Sequence, residues 1–351
     1  MVNKNAKPKY ISLAISLTLS SAILLSGIYL IDGLSGQKVM SKLLWPLLRL
    51  MLFIGAGLVT GQIIEALGWT KGLAVLAGPF FKFGNLGDRC SAAFTTAFFS
   101  GVAANAMLLD FFKEGKISRK QLFLSNFINQ FPAYFLHLPT TVFIVLPLTG
   151  FAGAIYFLIT FAATLLRTIL FLIYGHLRLP VYEHNFNHIN QISDEKSNKP
   201  ENGILRRLRN KFPGRIINVT IYVVPIYIIV FLLNDAGVFN MLRSRLAGHI
   251  VTAFMPVEAL SVVILSFAAE FTSGFAAAGA LLDAGVITIK QTVLALLIGN
   301  IIAFPVRALR HQLPRYIGIF SPKMGTQILI MGQSFRIASL IITGMVYYFI
   351  G

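Results

Sequence analysis

The chain has 351 residues, 56% hydrophobic and 12% charged. Soluble proteins carry about 25% charged residues, so long apolar runs at half that density exclude a soluble globular enzyme, and the apolar content excludes a disordered chain. Thirty Lys and Arg against 13 Asp and Glu give +17, a surplus that in apolar runs belongs to cytoplasmic loops facing anionic headgroups rather than to nucleic acid.

The chain opens with a basic arm (Lys4, Lys7, Lys9) before the apolar run Tyr10–Ile31. That run is longer than a signal core and has no clear small-x-small cleavage site, so it reads as a retained helix. Leu43–Leu67 follows, with Gly57 and Gly61 at a spacing that suits close helix contact. Gly72–Phe83 is too short to cross about 30 Å of hydrocarbon. It leads into a polar elbow, Gly84 to Arg89, and the apolar stretch Ser91–Phe112. Gln121–Leu148, interrupted by Phe131-Pro132 and Pro139, precedes Phe151–Tyr174. A basic, Asn-rich linker then divides the chain. Beyond it come Ile216–Leu233, an amphipathic piece Met241–Met255, Val257–Leu282, Gln291–Pro305 with a continuation, and Gly325–Ile350. Runs of this kind, rather than alternating polarity, indicate helices and not a barrel.

Charge placement orients these runs. With the N-terminus inside, the inside segments hold 20 of the 30 positive residues: the N-terminal arm, Lys71, Lys113 to Lys120, the linker, and Arg307 to Lys323. Lys38, Lys42, Arg243, Arg245 and Lys290 fall outside, and five more lie in or beside apolar runs. This bias is the one cytoplasmic loops show.

Two stretches resemble each other. Ser100 to Asp110 and Ser273 to Asp283 share seven of eleven residues at an offset of 173. The likeness continues, with gaps, through Ile117, Lys120 and Gln121 against Ile287, Lys290 and Gln291, and through Phe131-Pro132 against Phe304-Pro305. The loop after Asp110 has four positive residues and the loop after Asp283 has one. Opposite faces are therefore expected for the two copies, as in the inverted repeats of secondary transporters, whose sites lie where the copies meet.

Gly78-Pro79, the Gly84–Asp88 elbow, Leu108 to Gln121, and the Asn126, Asn129, Gln130, Pro132, Pro139 series resemble the nucleoside recognition, or Gate, domain. That domain recurs in concentrative nucleoside transporters, ferrous-iron transporters and sporulation membrane proteins. The resemblance covers 43–175 well and 216–350 more weakly. It implies re-entrant hairpins and broken helices whose polar tips bind substrate and cation. Asn85 and Asp88 would then lie at a hairpin tip, and Ser100, Asn105 and Ser273 would line unwound helices. The chain lacks the dense Gln/Thr/Glu clusters of a nucleoside carrier and the nucleotide-binding domain of the iron transporters, which leaves the solute open.

Ionisable and amide groups inside apolar runs supply the remaining candidates. Glu270, beside Thr272-Ser273-Gly274, reads either as a coupling-ion carboxylate at a helix break or as the partner of Arg336 or Arg167. Arg336 and Arg167 occupy comparable places in the two copies and read as an anion site or as structural pairs. Asn126, Asn129, Gln130 and Asn300 stand near the Phe-Pro steps, where they can bind solute or satisfy freed backbone. The cluster Arg307, Arg310, His311, Arg315 reads as a headgroup-facing surface or an anion vestibule. Glu183-His184 and His188 have metal-like spacing, but in a linker. The lone Cys90 excludes an internal disulfide or a cysteine metal cluster, and no enzyme motif is present.

The expectation is an all-α polytopic membrane protein of the cytoplasmic membrane, N-terminus inside. Residues 1–42 are an arm plus an extra helix, 43–175 and 216–351 are two inverted Gate-type repeats, and 176–215 is a cytoplasmic linker. Its expected role is ion-coupled transport of a small polar or anionic, nucleoside-like solute, driven by proton or sodium, without cofactor or metal. The alternative is a non-transporting scaffold or accessory subunit. Expected partners are the solute and the bilayer, with a homo-oligomer open.

Overall fold

The structure is a computed structural model, and it describes residues 6–31, 33–66, 77–180, 204–238, 241, 256–268 and 271–350. Among these the chain is helical throughout. In order the helices are α1 (Ala6–Leu30), α2 (Gly36–Val39), a π-helical stretch (Met40–Leu44), α3 (Trp45–Ala66), α4 (Ala77–Phe83), α5 (Asp88–Ala97), α6 (Gly101–Lys113) and α7 (Arg119–Ile128). They continue with α8 (Gln130–Arg178), α9 (Ile204–Asp235), α10 (Val257–Ala268), α11 (Phe271–Asp283), α12 (Ile289–Arg307), a second π stretch (Ala308–Gln312), α13 (Leu313–Phe320) and α14 (Pro322–Ile350). Among the described residues six runs are long and apolar enough to cross a membrane: Tyr10–Leu30, Gly36–Ala56, Arg119–Arg178, Phe212–Asp235, Ile289–Arg307 and Pro322–Ile350. The protein is a multi-pass membrane protein. The ends of the basic linker are helical, because α8 continues to Arg178 and α9 already begins at Ile204.

The run expected as Ser91–Phe112 folds back on itself. Arg89, at the start of α5, donates to the carbonyl of Lys116 beyond the end of α6 at 3.1 Å. Thr96 Oγ1 contacts Met107 Sδ at 3.3 Å. The two helices are therefore antiparallel arms of a hairpin whose tip is Phe98 to Ser100. Ser100 stops the reversal as a helix cap, its hydroxyl accepting from the N–H of Ala103. The elbow at Gly84–Gly87, where Asn85 and Gly87 take positive φ, is the turn from α4 into α5 and lies at the base of the α5–α6 hairpin. Asn85 Nδ2 donates to the carbonyl of His176, 91 residues away, which fixes it there. Val257–Leu282, expected as one span, is likewise two packed helices, α10 and α11. Gly274 runs so close beneath Ser266 that a Cβ there would strike its hydroxyl.

Both α6–α7 and α11–α12 turn in the same way. Each turn carries a left-handed glycine, Gly115 (φ 68) or Gly285 (φ 69). Gly115 N–H bonds the carbonyl of Phe112 and Lys116 N–H that of Phe111, and Gly285 and Val286 do the same to Leu282 and Leu281. That is the double bond of a Schellman turn. A capping box follows each, Ser118 with Gln121 and Thr288 with Gln291. The turns match at an offset of 170, so Asp110 and Asp283, paired at 173 in sequence, stand one helical turn apart relative to their glycines. The Phe-Pro steps do not break the helices where expected. Pro132 sits in the first turn of α8, where proline is tolerated, and the break comes before it at Asn129. Pro305 lies inside α12 just ahead of the π stretch. Within α8 the axis bends at Gly150 (φ 54, ψ −131).

Two apolar cores result. One is aromatic and joins α4–α8 to α13 and α14 through Phe81, Phe94, Phe98, Phe127, Phe131 and Phe171. The other gathers α3, α8, α9, α10, α11 and α12 around aliphatic and alanine residues. Helix α1 stands apart on α9.

Candidate functional site

A cavity of about 590 Å³ opens where the α5–α6 hairpin tip meets α8, α11, α12, α13 and α14. Its size suits a small organic molecule, the usual range being about 300–1,000 Å³. Its wall carries four arginines (Arg167, Arg307, Arg315 and Arg336) with His137 and, among the described residues, no carboxylate.

Arg167 projects from the second arm of α8 and is buried. Its Nη1 donates to Ser339 Oγ at 3.0 Å and its Nη2 to Thr164 Oγ1 at 3.2 Å. Ser339 in turn donates to the carbonyl of Arg336 at 2.9 Å. Arg336 Cζ lies over the Phe304 ring, 3.2 Å from its centroid, and its Nη2 donates to Asn300 Oδ1 at 3.4 Å. Asn300 Nδ2 donates to the Tyr156 hydroxyl. Among the described residues the Nε atoms of Arg167 and Arg336 make no hydrogen bond. Both guanidiniums are thus positioned by neutral hydroxyl, amide and aromatic groups. The described ion pairs lie elsewhere, Lys38 with Asp235 and Lys116 with Glu114.

The cavity repeats the offset of the two turns. Gln130 and Asn300, Tyr134 and Phe304, and His137 and Arg307 are each 170 positions apart, and all six line it. Each member stands at the same distance from its capping box, so equivalent helices present equivalent positions to one space.

Of the residues singled out from sequence, Ser100, Asn105, Gln130, Asn300 and Arg336 line the cavity, and so does Arg167. Asn126 stands behind the wall and donates to Asn105 Oδ1 at 2.7 Å, with the Tyr316 hydroxyl against both amides. Asn129, Thr272 and Ser273 are buried beside the cavity without lining it. Asn85 and Asp88 are remote from it at the hairpin base, Asp88 in the first turn of α5. Glu270 lies outside the described residues, as do Glu183, His184 and His188. Sequence reasoning passed over Tyr134, Tyr156, His137, Ser266 and Gln333. Tyrosines and a histidine in apolar helices look like packing, and only the offset of 170 would have shown Tyr134 and His137 facing their counterparts. Of the basic cluster, Arg307 and Arg315 reach the cavity, whereas His311 is exposed.

No family model matches the chain, and no solved structure matches it. It is similar to three uncharacterised proteins of Methanocaldococcus jannaschii. One is 28% identical over 292 residues, covering 83% of this chain and 89% of that protein. A second is 22% identical over 272 residues, covering 77% and 83%. A third is 23% identical over 302 residues, covering 83% and 94%.

Proposed function

We propose that the protein is a secondary transporter that carries a small organic anion by alternating access, with the arginine-lined cavity as its binding site. One observation carries this reading: four guanidiniums face a single cavity whose described wall contains no carboxylate. An arginine at the centre of a bilayer costs about 2.5–3.5 kcal/mol even on the mildest scale. Two of them held by neutral partners require a compensating charge, and an anionic solute supplies it.

The architecture supports the same reading. The matching turns and the lining pairs at an offset of 170 favour two related halves around one site. The four-to-one difference in loop charge favours their crossing the membrane in opposite senses. The helix pairs α5–α6 and α10–α11 fit re-entrant hairpins of a Gate-type fold, and their short arms reach only partway across a bilayer. Polar groups at the tips replace the solute's water, and rocking of one half against the other, with Gly150 and the Asn129 break as flexible points, exposes the cavity to each side in turn. Coupling to a proton or sodium ion is assigned to Glu270. Glu258, 1% exposed in the first turn of α10, is the comparison.

Proteoliposomes with an imposed proton or sodium gradient should accumulate labelled organic anions and exclude amines of the same size. Glu270→Gln should bind the solute but lose gradient-driven accumulation, while Glu258→Gln keeps it. Absence of flux for every anion from folded protein would sink the carrier reading and leave the scaffold.

A further inference from the structure

Resting on the carrier reading, we infer that the anion is a phosphate monoester, its dianionic head seated between Arg167 and Arg336 and its organic body against the aromatic wall of Tyr134, Phe157 and Phe275. Three observations lead to this chemistry, and the first is charge density. Arg167 bonds a hydroxyl one turn along α14 from Arg336. Both line the same cavity as Arg307 and Arg315. Two guanidiniums held by neutral groups among the described residues match a head with two negative charges, not one.

The second observation is the number of uncommitted donors. Arg167 spends two of its five N–H bonds on neutral hydroxyls and Arg336 spends one on an amide, so each of these cavity-lining guanidiniums keeps N–H bonds in reserve. The Tyr156 oxygen accepts from Asn300, so its own hydrogen is free to donate. The hydrogens left on these connected side chains outnumber what the two oxygens of a carboxylate can take up, and a phosphate monoester offers three peripheral oxygens. Guanidinium edges bind phosphate oxygens with charge-assisted hydrogen bonds.

The third is the shape of the remainder. A cavity of about 590 Å³ with Tyr134, Phe157 and Phe275 on its wall is larger and more apolar than an inorganic ion needs. The same head can arrive on a soluble ester or on a lipid, and the experiment separates the two.

Binding to the purified full-length protein is measured by calorimetry with phenyl phosphate and phenyl sulfate. The two share shape and oxygen number but differ by one charge at pH 8. Phenyl phosphate should bind at least tenfold more tightly. Its advantage should fall as pH drops from 8 to 5 through the second phosphate ionisation near pH 6, while phenyl sulfate is unaffected by that step. Arg167→Gln, Arg336→Gln and Tyr156→Phe should each weaken phenyl phosphate at least tenfold relative to phenyl sulfate. Equal affinity for the two probes at pH 8 in the unaltered protein overturns the proposal, and needs no variant to fold. In nanodiscs, competition by phosphatidic acid but not phosphatidylglycerol assigns the head to a lipid, and undiminished binding assigns it to a soluble ester. Tight phenyl phosphate binding without flux removes the carrier reading and keeps this site. Flux of monoanions with no preference for phosphate does the reverse.

Discussion

A Cβ added at Gly279 would meet the carbonyl oxygen of Leu148, with the Leu148 carbonyl carbon 2.9 Å away. Both are backbone atoms of α8 and cannot rotate aside. Gly279 stands in α11 among Ala276, Ala277, Ala278 and Ala280, all buried, and such small residues allow helices to touch backbone to backbone. Gly279→Ala must push α11 off α8. Overpacking of this kind costs about 1–3 kcal/mol. Phe275, one turn away, lines the cavity, so the variant should unfold at lower temperature and bind anions less well. Gly344→Ala, whose Cβ would make ordinary contact with Leu297 at 3.6 Å, should do neither. Unchanged thermal unfolding of Gly279→Ala would show that the two helices are not in this contact. The cavity residues differ in how readable they were for a related reason. Asn105, Asn300 and Arg336 stand out because a polar group in an apolar run demands an explanation. Arg307 and Arg315 resemble ordinary loop charges, and only folding brings them to Arg336. Asn85 looked like a site residue, yet its amide is spent on the backbone of His176.

At the scale of elements, helix existence was legible and chain reversal was not. The apolar runs placed α1, α3, α12 and α14 to within a few residues, since each needs only length and composition, and placed the end of α9 but not its start, which lies twelve residues earlier in the basic linker. Nothing in the local pattern distinguishes one span from two folded arms, so α5–α6 and α10–α11 emerged only from their packing. Helix α1 is a test of how far elements are separable. It rests on α9, with Ser16 Oγ donating to the carbonyl of Ile221 at 2.8 Å and Gly27 set against Leu232, whose Cδ1 lies 2.9 Å from where a Cβ would stand. Gly27→Leu should loosen α1 from α9, read as faster proteolysis of the α1–α2 connection in detergent. It should leave anion affinity unchanged, because no α1 residue lines the cavity. Loss of anion binding in that variant would make α1 part of the site's support.

The orientation of the whole molecule rests on long-range contacts as well as charge. Lys38 pairs with Asp235, and both belong to segments assigned outside. Arg119 bonds Gln327 at 2.6 Å, and this contact joins segments assigned inside. A chain threaded with the wrong sense in one half would have to carry the Lys38–Asp235 or the Arg119–Gln327 contact across the hydrocarbon. Cysteine labelling distinguishes the two arrangements, since the native Cys90 is fully buried and a membrane-impermeant thiol reagent should leave it untouched. The two matched turns supply the positions. Lys116→Cys and Lys290→Cys replace partly or fully exposed side chains that follow equivalent glycines. In sealed, intact cells the first should resist the reagent until the membrane is permeabilised, and the second should react at once. Equal reactivity of both in intact cells would mean that the halves cross in the same sense. The cavity would then lose the two-fold relation that lets one set of helices open it to either side, and the carrier mechanism would fail with it, whatever the cavity binds.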